Sequence, residues 1–205
     1  ITVDDVSFLL LDTFVGGNWR ELLKEYQDGK MSVGAFNTRA FAMIKADKDT
    51  LLDFVLNSGK VQIRPGFQEL IDYCAANHLE FVIVSNGQDF YIDAILKDRG
   101  IQGVRFFAAS SRFGPAGVEV HYIGPEGKIV QDCFKETYTR LFMSEGYSRV
   151  IYAGNGLSDI YPAKLAYHTF ATGELTNECR KFNLSYTTFE DLNGIVRGLE
   201  LLKLG

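Results

Sequence analysis

The sequence predicts an α/β fold: a Rossmann-like parallel sheet with a helical segment ahead of it and a small β-hairpin insert. Three observations carry this. Apolar runs at Glu80–Ser85 and Val150–Ala153 each pass through a polar, glycine-containing turn into a helical pattern. From residue 62 onward, strand-like and helix-like stretches alternate, as parallel sheets require. Before that, residues 1–58 show helical periodicity and no strand. The expected organisation is therefore a helical segment, 1–58, followed by an α/β core, 59–205, with a hairpin insert at 111–131.

The elements follow in order. Val3–Phe14 is apolar, with Asp4 and Asp5 at the end where a helix dipole favours carboxylates. Gly16–Gly17 breaks it. Asn18 can cap a second helix, Trp19–Tyr26, and Ser32 a third, Val33–Ala46, whose Phe36, Ala40, Phe41 and Ile44 share one face. Asp47–Leu56 is a fourth, with Leu51, Leu52 and Val55 inward. Asn57–Gly59 is a linker. Pro65–Gly66 opens a helix, Phe67–Asn77, with Phe67, Leu70, Ile71 and Cys74 inward. After the Glu80–Ser85 strand comes a helix over Phe90–Lys97, then a strand at Phe106–Ala109. Val118–Ile123 and Lys128–Val130 alternate like the two arms of a hairpin. Lys135–Glu145 is helical. Past the Val150 unit, a strand at His168–Ala171, a helix near Leu175–Lys181, an edge strand at Tyr186–Thr188 and a closing helix, Phe189–Leu202, end the pattern.

Composition narrows the function classes. The chain has 205 residues, 46% hydrophobic, enough for one packed domain with a small second module. Its net charge is −5, and its basic residues form no run, so neither nucleic acid nor a membrane is an expected partner. Phe8–Leu11 is far too short to span a bilayer. Cys74, Cys133 and Cys179 lie far apart, as reduced thiols of a cytoplasmic protein would. His78, His121 and His168 share no ligand spacing and read as structural.

Several polar residues could carry chemistry. Ser85 ends an apolar strand, with Asn86 and Gly87 before the next helix. A phosphate there would take bonds from the Ser85 hydroxyl and from backbone N–H groups; equally, Ser85 could simply cap the helix. Lys135 sits near a helix start, where the dipole disfavours a cation. It points either to an anionic partner or to a solvated surface lysine. Asn155 and Asp159, on Gly154-Asn-Gly-Leu-Ser-Asp159, offer oxygen ligands of the kind Mg²⁺ takes, or form a turn with its cap. The segment is no dinucleotide fingerprint, because Asp159 stands where the third glycine would be.

Taken together, Ile63-Arg-Pro-Gly-Phe67, Val84-Ser-Asn-Gly-Gln-Asp-Phe90, Lys135, Gly154–Ala166 and Asn177-Glu-Cys-Arg180 resemble the haloacid dehalogenase superfamily. The likeness is to its phosphoserine-phosphatase-like branch, and within it to the methionine-salvage phosphatases acting on 2-hydroxy-3-keto-5-methylthiopentenyl-1-phosphate. It implies a Mg²⁺-dependent phosphomonoester hydrolase of a small phosphorylated metabolite, working through an aspartyl phosphate. Residues 1–58 would be a cap. Ser85 and Lys135 would be catalytic, Ser85, Asn86, Gly87 and Lys135 would hold phosphate, and Asn155 and Asp159 the metal. Two departures stand out. The Asp-x-Asp-x-Thr motif of the family is absent, so the chain reads as starting just after its nucleophile and is expected to be inactive as it stands. Asn155 also replaces a metal-binding aspartate, which points to a non-catalytic phosphate-binding or regulatory protein as the alternative. Oligomeric state is not legible.

Overall fold

The computed structural model describes residues 1–16, 18–130, 132–147 and 149–202. Gly17, the Gln131 end of the hairpin segment and the last three residues of the expected core lie outside the described residues. The chain divides into two compact units. One comprises 2–62 and 82–134, the other residue 1, 63–81 and 135–205.

The unit formed by 2–62 and 82–134 begins with four helices: α1 (Val6–Phe14), α2 (Trp19–Gln27), α3 (Val33–Phe41) and α4 (Lys48–Asn57). Three have the side-chain caps that start a helix by satisfying its free N–H groups: Asp5 accepts from Phe8 N, Ser32 from Ala35 N and Asp47 from Thr50 N. Asn18 occupies the cap position of α2 but makes no side-chain cap bond. The stripe read on α3 is buried as expected: Phe36, Ala40, Phe41 and Ile44. The helix itself ends at Phe41, and Ile44 reaches the core from the turn that follows. Leu51 and Val55 are buried, and Leu52 is half-buried. Trp19 lies against Phe8 and Tyr26 against Phe36.

The same unit holds a three-stranded sheet, β1 (Val82–Gln88), β2 (Arg105–Gly114) and β3 (Gly117–His121), with α6 (Asp89–Asp98) after β1. β1 and β2 are parallel, and β2 and β3 antiparallel. Val118 pairs with Phe113 and Val120 with Ser111, so the hairpin turns at Gly114–Gly117. Residues 123 and 129 form an antiparallel bridge, with Gly124 N donating to Lys128 O and Val130 N to Tyr122 O. Two glycine-containing turns lie in this stretch, and the longer ladder forms across the first of them.

The second unit packs α5 (Phe67–Ala76) against α10 (Leu192–Leu201). It also contains α7 (Phe134–Ser144, its first residue belonging to the other unit), α9 (Gly173–Lys181) and a parallel sheet, β4 (Ile151–Gly154), β5 (His168–Ala171) and β6 (Thr187–Thr188). After β4 the chain makes one 3-10 turn, Leu157–Asp159, and a single turn of helix, α8 (Ile160–Ala163). Ile160, Ala163, Ala171, Leu175 and Cys179 form a buried cluster between these elements. The parallel strands are thus those the sequence marks, arranged as two three-stranded sheets, one per unit. Among the described residues no helix is long and apolar enough to cross a membrane.

Candidate functional site

The chemistry-bearing centre of the second unit is the carboxylate of Asp159, which is 1% exposed. Its Oδ2 accepts from the backbone N–H groups of Asn155 and Gly156, both at 2.8 Å. Its Oδ1 accepts from Lys135 Nζ and from Tyr152 Oη, both at 2.6 Å. Four donors therefore converge on two oxygens, which meets the acceptor capacity of a carboxylate. Local sequence explains the arrangement. The chain turns at Asn155–Gly156 straight off β4, and the 3-10 turn returns Asp159 beneath it. A Cβ on Gly154 would lie 2.6 Å from Asp159 Cγ, so no larger residue fits there. The turn is tied to the end of β5 by Thr172 N donating to Gly154 O and Leu175 N to Asn155 O.

Electrostatics follow from this geometry. Burial pushes the Asp159 carboxyl up, but the Lys135 ammonium and the bonds from Lys135, Tyr152 and Gly156 outweigh it, so it is held below the usual carboxylate range. Burial and the Asp159 charge drive Tyr152 well above an ordinary phenol, so it remains a donor. Lys135 is the second residue of α7, its side chain 17% exposed. Arg64 N donates to Ile1 O, and Arg64 Nη1 to Glu190 O.

Ser85, Asn86 and Gly87 belong to the other unit. Register along β1 jumps from Val84↔Phe107 to Gln88↔Ala109, so these three residues bulge out of the ladder. Ser85 Oγ accepts from Gly87 N at 3.0 Å. Beyond the bulge, Gln88 is fully buried, its Oε1 accepting from Ser111 Oγ.

Of the residues read from the sequence, the structure joins Lys135 and Asp159 directly and sets the Asn155 backbone on the same carboxylate. The Asn155 side chain is exposed. Tyr152 was missed, although a lone phenol in an otherwise aliphatic strand signals a buried hydroxyl in need of a partner. Arg20 and Arg39 pair on the helix surfaces with Asp12 and Glu25.

A divalent cation does not fit these residues as they stand. Asp159 has its oxygens filled by donors, which leaves the neutral amide oxygen of Asn155. Among the described residues no group of three or more His, Cys, Asp or Glu could hold a metal ion.

Known proteins resemble the chain in sequence and in fold. No family model matches the chain. A 2-hydroxy-3-keto-5-methylthiopentenyl-1-phosphate phosphatase of Bacillus velezensis is 26% identical over 98% of this chain and 86% of its own length. One of Brevibacillus brevis is 24% identical over 98% and 90%. Among solved structures, a phospho-aspartyl intermediate analogue of phosphoserine phosphatase superposes with a TM-score of 0.71 at 16% identity, covering 96% of this chain and 92% of that one. A phosphoserine phosphatase of T. onnurineus gives 0.68 at 15% identity, covering 97% and 88%. The chain thus has an α/β fold shared with phosphoserine phosphatases, and its sequence is similar to that of phosphatases over nearly its whole length.

Proposed function

We propose that this chain carries the phosphate-binding and charge-neutralising residues of a phosphomonoester hydrolase acting on a small phosphorylated metabolite. One observation carries the proposal: Lys135 is held by a carboxylate that three further donors lock in place. A lysine fixed this way presents a positive charge without a search through rotamers, which is what a transferring phosphoryl group needs. In the proposed chemistry Lys135 neutralises charge on the phosphoryl oxygens. Ser85, Asn86 and Gly87 are proposed as phosphate donors, as the resemblance implies. Asp159 orients Lys135 rather than reacting. An aspartate would attack phosphorus to give an aspartyl phosphate. The Asp-x-Asp-x-Thr motif for that aspartate does not occur in residues 1–205. Residues 1–58 are proposed as a cap that keeps bulk water from the reaction, and 111–131 as a smaller lid or an oligomer contact. Phosphatases of this superfamily generally use Mg²⁺; the residues described above do not make a site for it, and no step is assigned to it.

A second reading, favoured by Asn155, is a phosphate-binding protein without turnover. Release of inorganic phosphate from a panel of small phosphomonoesters separates the two. It is measured for residues 1–205 and for the same residues preceded by a strand bearing Asp-x-Asp-x-Thr. Expected are no release by 1–205 alone, release by the extended chain, and loss of that release in Lys135→Met. No release by the extended chain, with phosphate still bound, would favour the binding protein. Release that survives Lys135→Met would contradict both.

A further inference from the structure

We propose that Asn37 and Tyr122 are positioning residues for the Ser85–Asn86–Gly87 turn, aiming its donors at a bound phosphate; this rests on the phosphatase function proposed above. Both residues lie far from the turn in sequence, and neither belongs to its strand. Asn37 sits on the buried face of α3 and is 4% exposed. Tyr122 follows β3, is 3% exposed, and its ring stands edge-on to Phe134. Three hydrogen bonds close a ring among them. Asn37 Nδ2 donates to Tyr122 Oη at 2.6 Å and to the Asn86 carbonyl at 3.1 Å. Tyr122 Oη donates to the same carbonyl at 2.6 Å.

The Asn86 carbonyl is the part that matters. It accepts twice, which fills both of its lone pairs. It shares a planar peptide unit with Gly87 N–H, and no peptide bond here is cis, so the carbonyl and the N–H point in opposite directions. Fixing the carbonyl therefore fixes the N–H, which donates to Ser85 Oγ. That bond occupies an acceptor site of the Ser85 oxygen and leaves its hydroxyl hydrogen free to rotate toward an anion.

The sheet cannot provide this control. Residues 85–87 bulge out of the β1–β2 ladder, so strand pairing does not hold their peptides. Side chains from the helical segment and the hairpin hold them instead. Those side chains are themselves anchored: Thr38 Oγ1 donates to Val120 O, and Lys45 Nζ bridges the carbonyls of Ala42 and Ala116. On the other side, a Cβ at Gly87 would strike the Tyr91 hydroxyl, which is bonded to Ser7 Oγ at 2.9 Å. The turn is thus gripped by α1, α3, α6 and the residue after β3. Burial raises the Tyr122 phenol far above its ordinary value, so the hydroxyl stays a donor at any assay pH.

The test uses the 205-residue chain with inorganic phosphate as the probe, at a temperature well below melting. Tyr122→Phe, Asn37→Leu and the control Ser85→Ala are titrated by calorimetry. Amide exchange at residues 85–88 is followed by mass spectrometry without phosphate. Each positioning variant is expected to weaken phosphate by about five- to tenfold, one lost buried hydrogen bond, and to speed exchange at Gly87 while exchange in the core of α3 stays slow. A residue that served stability alone would lower the melting temperature and leave both readouts of the folded protein unchanged. Tyr122→Phe keeps the ring and its packing, so it carries the test if Asn37→Leu does not fold. Wild-type affinity in the positioning variants, with Ser85→Ala weakened, overturns the proposal and leaves the phosphatase function standing. Wild-type affinity in Ser85→Ala overturns the role given to the turn, and the proposal with it.

Discussion

Replacing Asp159 by asparagine should cost this protein more stability than any surface change. The carboxylate is buried and takes four hydrogen bonds, one from an ammonium that is itself largely buried. Asparagine keeps one acceptor oxygen, turns the other into an NH₂ facing existing donors, and strips Lys135 of its counter-charge. Breaking a buried pair from one side typically costs about 3–5 kcal/mol. At about 2–4 °C per kcal/mol for a chain of this size, the melting temperature should fall by roughly 6–20 °C at pH 7. The pH dependence has a definite sign. The folded carboxyl is depressed below its ordinary value of 3.8, so its contribution is fully present above that value and is lost as pH falls through the folded one. The gap between wild type and Asp159→Asn should therefore be widest at neutral pH and close on acidification below about 4. Circular-dichroism melts from pH 7 to pH 3 measure both. A drop of less than about 2 °C at pH 7, or a gap that does not narrow in acid, would refute the assignment of Asp159 as the organising charge.

Other perturbations probe neighbouring parts. Tyr152→Phe removes one bond to the same carboxylate and keeps the ring; a loss of about 1.5–3 kcal/mol is expected in denaturant unfolding, and no loss would mean that the phenol is incidental. Gly198→Ala should destabilise although alanine favours helix by about 1 kcal/mol, because the added Cβ on α10 would meet the Phe170 ring; a raised melting temperature would show that β5 gives way easily. Asn155→Asp puts a carboxylate on an exposed turn. Calorimetry should then show Mg²⁺ binding stronger than in the parent, and unchanged binding would remove position 155 from any metal role.

Much of this was legible in the sequence because it is local. Strand-to-turn-to-helix units announce themselves through apolar runs and glycine, so the turns at Ser85–Gly87 and Gly154–Gly156 were visible without coordinates. The helix cap at Ser32 was visible for the same reason, whereas Asp47, read as the first residue of its helix, is its cap. What escaped depends on pairing over long separations. Tyr152 reads as one more buried strand residue until Asp159 is seen beneath it. Asn37 was the sharper omission, since a polar residue beside Phe36, Ala40 and Phe41 on a buried stripe implies a partner. Which partner could not be read, as Tyr122 is 85 residues away. Two turn signals, at Gly114–Gly117 and Gly124–Gly127, lie in the hairpin stretch; antiparallel pairing forms across both, and the greater length of the ladder at the first was not legible.

Binding of inorganic phosphate, titrated by calorimetry into the wild-type chain and into Lys135→Met, probes the function most directly. The wild type should bind, and the variant should lose at least tenfold in affinity, since one charge-assisted bond contributes about 1.5–3 kcal/mol. Equal affinity in the two proteins, or none in the wild type, would mean that the buried ammonium serves only to hold the fold together.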